Sequence, residues 1–447
     1  MKASVIFAVA KSGKTPNMIS SHRCVAVGPN IFRIFEYLIL PLLENFLYAN
    51  QVIPRQQYGF RKNSRLENIH IDIQKIIYRT YDNRNYISTD IIFFDLSNAF
   101  DSINHSNLFH KLKLYGISGQ IFDMLKECLT DRKQKVKFDG IFSELIEVKS
   151  GVPQGGVLSP LLFNVYIADI VKSVKNNIFC YADDICLVSP IYESNDCVQL
   201  QNDINNLVKY FNNSNLIINQ TKCKVLRITN KRITHFDYYL NESLIEQVSE
   251  AKHIGVIYDR KMTFNSHIEH IFGKALRKFF MIRFLSKNID GITIVKLFKT
   301  YVLPTIEYLR LCCYLTKTQS DKIEKIQRRV TKFICAKMGL LDFPYDDRLK
   351  ILKLDSLENR RSIFNLNFLW NALLASRPTP CPLDPRIILL ETGDGPKLFR
   401  TPHRLKLFEK FLLIECMNIF NDMPLNVREA NNYKEFIFNV KQYLNIY

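Results

Sequence analysis

Hydrophobic positions along this chain form short runs and one longer periodic segment. The run Ile91–Phe94 is continuously apolar, which is typical of a strand buried on both faces. Ile31–Leu47 instead has apolar side chains at intervals of three and four, which predicts a helix. Ala3–Ala10 fits either a short buried strand or the apolar part of a signal peptide. Because the run is at the lower length limit for a signal peptide, we expect the strand.

The pattern changes along the chain and predicts four regions. Residues 1–88 mix short apolar runs with one helix, and residues 89–262 are rich in strands. Residues 263–339 are helical and basic, and residues 340–447 are helical, with linkers rich in Pro and Gly near 378–385 and 393–396. The chain shows no internal repeat.

Composition narrows the possible partners. The 447 residues include 61 Lys and Arg against 43 Asp and Glu, a formal charge of +18, which favours a polyanion such as nucleic acid or an acidic membrane surface. Eleven cysteines lack the spacing of a zinc site or a disulfide framework, so we expect a reducing, intracellular location and no structural zinc. Apolar runs fall short of the roughly 18 residues of a membrane helix.

The first candidate for chemistry is Asp95, which ends the apolar run at the edge of a core. Strand alternation places Asp90, earlier in the same run, on the opposite face, so Asp90 is excluded from a site built on Asp95. An isolated Asp after a strand more often caps the next helix. Asp95 therefore needs support from other acidic residues.

That support comes from Asp183 and Asp184, which lie between two apolar arms in Phe179–Val188 and predict a β-hairpin with both carboxylates at its turn. A solvated turn is the alternative. Carboxylates crowded at the edge of a core cost several kcal/mol unless a cation compensates them. Two Mg²⁺ ions would do so, and such a pair can activate a 3′-hydroxyl and stabilise a leaving pyrophosphate. The three acids predict nucleotidyl transfer.

A glycine-rich segment, Ser150–Pro160, lies between these motifs and precedes the apolar, helix-like Leu161–Val171. Its glycines allow the backbone to come close to a ligand. An ordinary turn before a helix is the alternative.

Together these motifs closely resemble motifs A, B and C of reverse transcriptases of the LINE, jockey-like class of non-LTR retrotransposons. The matching residues are Phe94–Asp95 with Ala99–Asp101, Gly151–Gly155 with Leu158–Asn164, and Tyr181–Asp184. Further similar segments are Lys11–Lys14 and Arg23, Gln57–Arg61, Asn219–Lys224, His253–Val256, Tyr301–Tyr308, Ile326–Arg329 and Phe420–Pro424. The resemblance thus runs through nearly the whole chain, in the family's order.

The resemblance implies an α+β right-hand polymerase with an antiparallel palm sheet and a helical C-terminal extension. Its domains would be fingers (1–88), palm (89–262, with 106–150 partly helices between fingers and palm), thumb (263–339) and the extension (340–447). It implies an RNA template, a DNA primer, dNTPs, two Mg²⁺ or Mn²⁺ ions and action in the nucleus. The sequence indicates no oligomeric state.

Roles carry over residue by residue as implications of the resemblance. Asp95, Asp183 and Asp184 would hold the metals, and Phe100 would be a steric gate against a ribose 2′-hydroxyl. The nucleotide would be contacted by Gln154, Arg23 and Arg61. Lys222 would protonate or neutralise the departing pyrophosphate, with a solvated surface lysine as the alternative.

Gly255, near the end of the predicted palm, belongs to the segment that resembles the primer grip. One helix face carries Lys322, Lys325, Arg329 and Lys332, opposite apolar residues. We interpret it as a phosphate-tracking surface, with a solvated face as the alternative. His267 and His270 lack further ligands at useful spacing and are expected on a helix surface.

Two other interpretations stay open, and departures from the family pattern favour the first of them. Arg23 is followed by Cys24 where the family has proline, and the chain starts at the fingers without an endonuclease, as a truncated copy would. A non-catalytic nucleic-acid-binding remnant is therefore one rival. Another template-dependent polymerase, such as a maturase or a viral RNA polymerase, is the second, although Phe100 favours DNA synthesis.

Overall fold

The computed structural model describes residues 3–11, 15, 18, 21–62, 64–231, 236–308, 315–374, 387–400 and 412–444. Residues 12–14 of the predicted fingers motif and the predicted linker at 378–385 lie outside this part of the chain. The chain forms two compact units. The first comprises Met1–Ile69, Thr89–Arg227 and Lys231–Val248, and the second His70–Ser88, Ile228–Asn230 and Ser249–Tyr447.

The elements up to the middle of the chain are β1 (Ala3–Ala10), β2 (His22–Val27), α1 (Asn30–Ala49), α2 (Leu66–Asp82), β3 (Ser88–Phe94), β4 (Leu96–Ser97), α3 (His105–Leu114), α4 (Gly119–Leu129), β5 (Arg132–Phe138), β6 (Ile141–Phe142), β7 (Ile146–Val148), α5 (Ser159–Tyr166), β8 (Asn177–Tyr181), β9 (Asp184–Ile191) and α6 (Ser194–Asn213). They are followed by β10 (Ile217–Ile218), β11 (Lys224–Ile228), β12 (Tyr239–Leu240), β13 (Ser243–Leu244), β14 (Glu246–Val248), β15 (Glu250–His253), β16 (Val256–Asp259), α7 (Asn265–Leu285), α8 (Gly291–Leu297) and α9 (Leu303–Ile306). The last elements are α10 (Lys317–Lys337), α11 (Tyr345–Leu352), α12 (Leu357–Leu369), β17 (Ile387–Thr392), β18 (Gly395–Arg400), α13 (Leu412–Asn421), α14 (Leu425–Arg428) and α15 (Tyr433–Tyr443).

The predicted N-terminal strand and the helix that follows it are confirmed as β1 and α1. β1 pairs antiparallel with β2 and parallel with β5, and β6 and β7 both pair antiparallel with β5. The chain thus returns to its first strands more than a hundred residues later, which local sequence patterns do not reveal. Ile6 and Ala26, which are opposite each other on β1 and β2, are buried on the inner face of this sheet.

A second sheet has the strand order β14-β11-β3-β9-β8. β3 lies in its centre and is buried along almost its whole length, as its continuous apolar run predicts. β8 and β9 form the predicted antiparallel hairpin, whereas β14 joins the edge parallel to β11. Helix α6 buries Leu200, Ile204 and Leu207 in the core of this unit, and α5 is almost entirely buried.

Asp90 lies in the middle of β3 with no exposed surface. It accepts hydrogen bonds from Arg227 at 2.8–3.1 Å and from the Tyr238 hydroxyl at 2.9 Å. Its engagement there agrees with the prediction that Asp90 belongs to a different site from Asp95. A buried carboxylate is tolerated because the guanidinium and hydroxyl compensate its charge.

The second unit is mostly helical. Its core includes Ile268, Phe279, Val302, Ile326 and Val330, contributed by α7, α10 and the segment between them. The predicted linker near 393–396 is wrong, because Gly393 and Asp394 form the turn of the antiparallel β17–β18 hairpin and Gly395 and Pro396 begin β18. The surface position expected for His267 is also wrong, since this side chain is 1% exposed.

Within the described parts of the chain, no helix combines the length and apolar character needed to cross a bilayer.

Candidate active site

Asp95, Asp183 and Asp184 meet at one end of the central strands of the first unit. Asp95 directly follows β3, and Asp184 begins the neighbouring strand β9. Ala182 and Asp183 form a two-residue turn between the paired residues Tyr181 and Asp184, with Ala182 at φ 55°. A non-glycine residue in this left-handed region costs roughly 1–2 kcal/mol, which the surrounding contacts must offset.

The three carboxylates interact electrostatically. Although the Asp184 side chain keeps solvent-accessible surface, the protein packed around it and then the charges of Asp183 and Asp95 raise its pKa to about 6. Burial and the Asp95 charge also raise the pKa of Asp183, against backbone hydrogen bonding and the Arg23 charge, which lower it. Their negative charges are therefore only partly compensated by the protein, and a cation would relieve the repulsion.

Lys222 forms an ion pair with Asp95. Its ammonium lies 3.0 Å from the Asp95 Oδ2, although its side chain remains 56% exposed. The backbone amide of Asn219, at the start of the same turn, donates to the Asp95 carbonyl at 2.8 Å. This backbone bond and the β10–β4 pairing hold the Lys222 turn beside the strand end. An ion pair this exposed contributes little to stability, so the lysine side chain can move.

The acidic turn rests on Gln57, which is 2% exposed. The Gln57 side-chain oxygen accepts from the Ala182 amide at 3.0 Å and from the Gly59 amide at 2.9 Å. A side-chain carbon at Gly59 would lie 2.4 Å from the Ala182 nitrogen, so only glycine fits. The family segment containing Gln57 was recognised in the sequence, but its contact with a turn 125 residues away was not.

Phe100 lies in an aromatic group beside this site. Its ring stacks on Phe163 with centroids 4.8 Å apart and meets the Phe60 ring edge-on at 6.4 Å. Aromatic pairs at these distances stabilise each other beyond simple burial. The Phe100 ring is therefore contacted from two sides, by Phe163 and by Phe60.

The glycine-rich loop, Ser150–Pro160, forms backbone hydrogen bonds both to the segment that follows β4 and to β2. Gly151 and Val152 donate backbone hydrogen bonds to the carbonyls of Ile103 and Phe100, and the Gln154 carbonyl accepts from Ala26 at 2.7 Å. Gly151 has φ 81°, and an added side-chain carbon would lie 2.7 Å from the Asp101 Cα. The glycine here is thus required by a close backbone approach, and the loop fixes Gln154 against β2.

Glu36 holds the other end of this loop and was missed in the sequence. Although it occupies an apolar-patterned helix, it is 4% exposed and accepts from the Val157 amide at 3.1 Å. Burial raises the pKa of Glu36, partly offset by these backbone bonds and by Arg33 and Arg132. The outward side of α1 is correspondingly apolar and exposed at Ile34 and Leu38.

The two predicted nucleotide-binding arginines lie in different surroundings. Arg23, on β2, is exposed and close enough for its charge to lower the pKa of Asp183. Arg61 instead donates to the Pro54 carbonyl at 3.1 Å and lies over the Tyr48 ring at 5.7 Å. The structure therefore brings Arg23 to the acidic turn and engages Arg61 within its own segment.

The predicted nucleic-acid-binding residues all belong to the second unit. Gly255 forms a two-residue turn with Ile254 between β15 and β16, at φ 84° and 42°. A side-chain carbon at Gly255 would lie 2.5 Å from the Tyr308 ring. Of the four cations predicted on α10, Lys325, Arg329 and Lys332 are exposed, whereas Lys322 contacts Glu269 and lies over the Phe272 ring.

The acidic cluster offers carboxylate oxygens, which are the kind of ligand that Mg²⁺ binds. Among the described residues, no group of three or more His, Cys, Asp or Glu side chains could by itself hold a metal ion. Mg²⁺ does not need such a cage, because one or two carboxylates and substrate phosphates suffice. Partly uncompensated carboxylates at an open edge fit a cation of this kind.

Comparisons with known proteins agree with this geometry. The family model described as reverse transcriptase (RNA-dependent DNA polymerase) matches residues 9–258. The probable RNA-directed DNA polymerase from transposon X-element of Drosophila melanogaster is 27% identical over 344 residues, covering 74% of this chain and 37% of the relative. The RNA-directed DNA polymerase from mobile element jockey of Drosophila funebris is 29% identical over 348 residues, with the same two coverages.

The chain thus spans about two fifths of the length of these relatives. Among solved structures, apo telomerase from Candida tropicalis gives a TM-score of 0.44 at 12% identity, covering 81% of this chain and 61% of that chain.

Proposed function

Since this chain belongs to the reverse transcriptase (RNA-dependent DNA polymerase) family, with the α+β right-hand fold that membership implies, we propose that it copies RNA into DNA for a non-LTR, jockey-like retrotransposon. The observation that carries this proposal is the meeting of Asp95 with the strained turn that presents Asp183 and Asp184. Their mutual repulsion is a cost to folding that a metal-dependent reaction explains.

Asp95, Asp183 and Asp184 would hold two Mg²⁺ ions, or Mn²⁺ in their place. When bound, these ions would supply the charge neutralisation that nucleotidyl transfer needs. The raised pKa values of Asp183 and Asp184 support this role, because neighbouring carboxylates that repel one another are suited to share cations.

The remaining residues would bind and orient the substrates. Arg23 would contact the triphosphate, and Gln154, fixed by its backbone bond to Ala26, would contact the nucleotide pair. Phe100, held by Phe163 and Phe60, would exclude a ribose 2′-hydroxyl. Lys222 would hydrogen-bond or protonate the leaving pyrophosphate, since its exposed ammonium already lies at the acidic cluster.

The predicted fingers, palm, thumb and C-terminal regions remain our proposal for the domain boundaries. Gly255 would contact the primer, and Lys325, Arg329 and Lys332 would contact phosphates, because α10 exposes all three cations. Lys322 is a weaker candidate than the sequence indicated, since Glu269 neutralises it. Action in the nucleus on an RNA template, a DNA primer and dNTPs follows from the same proposal.

A second candidate is a remnant that binds nucleic acid without turnover. The observation that favours it is Cys24, which stands after Arg23 where the family has a stiffening proline. Cys24 lies exposed within β2, opposite Ala8.

Primer extension distinguishes the two. The purified chain is given an RNA template with an annealed DNA primer, Mg²⁺ and dNTPs, beside an Asp183→Ala, Asp184→Ala variant. Extension by the parent alone supports the polymerase. Salt-sensitive RNA binding by both proteins without extension supports the remnant. Extension with ribonucleotides as efficient as with dNTPs would instead indicate an RNA polymerase.

A further inference from the structure

The first sheet carries aromatic and basic side chains side by side on one face. The register places Phe7 of β1 opposite Lys137 of β5, and Lys137 opposite Phe142 of β6. Lys135 and Lys137 lie over the Phe142 ring at 4.2 and 5.4 Å, and Lys137 lies 5.9 Å from the centre of the Phe7 ring. We call Phe7, Lys135, Lys137 and Phe142 the lysine–phenylalanine strip.

The strip is a surface and not part of the core. Phe7 is 39% exposed and Phe142 47% exposed, whereas Ile6, the next residue on β1, is buried on the other face. Lys135 has Val5 as its neighbour on β1, so the register sets no acidic residue beside it there. Lys133, by contrast, is paired with Glu147 of β7, so an acidic residue lies beside it and it does not belong to the strip.

The same face leads to the candidate active site. Phe7 and Val9 lie on one side of β1 because they are two residues apart. Val9 is paired with Arg23 of β2, whose charge reaches Asp183. The face therefore runs from the acidic turn across β2, β1 and β5 to β6, within the first unit.

We propose that the lysine–phenylalanine strip binds the single-stranded part of the RNA template. Exposed aromatic rings give bases a surface to stack on, and lysines spaced between them pair with backbone phosphates. Two lysines whose registered strand neighbours are Val5, Phe7 and Phe142 complement a polyanion better than they complement a neutral protein surface. The template as ligand rests on the proposed function, whereas binding of single-stranded RNA does not need turnover.

The test uses primer–template duplexes that differ only in the unpaired 5′ extension of the template, of about 2 or about 12 nucleotides. Fluorescence anisotropy measures their affinity for the whole chain without metal or dNTPs. We expect the parent to bind the long extension about tenfold more tightly. A Lys135→Gln, Lys137→Gln, Phe142→Leu variant should lose this preference and bind the short extension as the parent does.

Matched controls lie elsewhere in the same unit. Phe138→Leu changes an exposed ring next to the strip on the opposite face of β5, and Lys209→Gln removes an exposed lysine of α6. Both should keep the preference. With the long extension, losing two strip lysines should also reduce the slope of log affinity against log salt by about 1.4.

Failure of this proposal is distinguishable from failure of the proposed function. If the parent extends primers but binds both duplexes equally, the proposal that the strip binds template is wrong. The proposal is also wrong if a control variant loses as much of the preference for the long extension as the strip variant does. Strip variants with unchanged affinity for both duplexes, as expected of a surface for another protein, overturn it too. If the parent prefers the long extension but adds no nucleotide, the proposed RNA binding by the strip stands and the proposed polymerase activity is wrong.

Discussion

Asp90 and Asp95 lie on the same strand-forming segment but in opposite electrostatic situations. Asp90 has no exposed surface and is fully engaged by Arg227 and Tyr238. Asp95 lies at the strand end, where an exposed lysine is its cation and two further carboxylates oppose it. The negative charge of Asp90 is compensated within the fold, whereas the negative charge of Asp95 is only partly compensated.

Structural and functional charges can therefore be distinguished within one strand-forming segment. A buried charge with a complete set of partners specifies packing and has no capacity left for a ligand. A cluster of acids with raised pKa values retains a demand for a cation.

Asp183→Asn should reduce primer extension by about a thousandfold while leaving the fold intact, because metal charge stabilisation is worth several kcal/mol. Single-nucleotide addition and thermal unfolding of the same preparation provide the two measurements. Asp139→Asn, at the exposed β5–β6 turn, is the control and should change neither. Primer extension by Asp183→Asn close to that of the parent would contradict the assignment of this turn to the active site.

Asp90→Asn should have the reverse effect and lower the free energy of unfolding by about 3 kcal/mol, because the Arg227 charge stays buried without its partner. Denaturant unfolding measures the change. An Asp90→Leu, Arg227→Met variant should lose much less, since it leaves no unpaired charge. If the double variant is the less stable of the two, the pair itself is the source of stability.

These two acids also show what the sequence could reveal. The apolar run predicted that Asp95 ends a buried strand, and alternation predicted that Asp90 lies elsewhere. The two apolar arms predicted the Asp183–Asp184 turn. Each of these features depends on residues close together in the chain, where periodicity is visible.

Contacts between distant segments were not predictable in this way. The Gln57 bond to Ala182, the Arg227 partner of Asp90 and the Glu36 bond to Val157 join residues more than a hundred positions apart. Burial of His267 depends likewise on packing against β16, whose Ile257 amide donates to its ring. The β17–β18 hairpin was missed because the Gly and Pro residues at its turn and at the start of β18 have the composition of a linker.

Gln57→Leu should reduce primer extension about tenfold, because the buried amides of Gly59 and Ala182 lose their acceptor and the acidic turn shifts. Gln56→Leu, an exposed neighbour of the same chemistry, is the matched control. Comparing kcat with KM identifies a positioning role, which lowers kcat most. A loss of stability without any change in kcat would show that Gln57 only supports the fold.

Asp184→Asn should raise the free energy of unfolding at neutral pH by less than about 1 kcal/mol, the smallest of these effects. The gain is small because the Asp184 side chain is exposed. Because the folded pKa of Asp184 is raised from 3.8 to about 6, its carboxylate destabilises the fold above pH 6 and is neutral near pH 4. The gain should therefore be present at pH 7.5 and nearly vanish at pH 4. Thermal unfolding in EDTA measures it, and an equal gain at both pH values would contradict the repulsion.

The measurement that tests the central contrast most directly is a paired assay of Asp95→Asn and Asp90→Asn for primer extension and thermal unfolding under one set of conditions. We predict that Asp95→Asn abolishes extension at an unchanged melting temperature. Asp90→Asn should melt well below the parent yet extend primers at low temperature, where it remains folded. Normal extension by Asp95→Asn, or its unfolding in step with Asp90→Asn, would contradict the assignment of Asp95 to the active site.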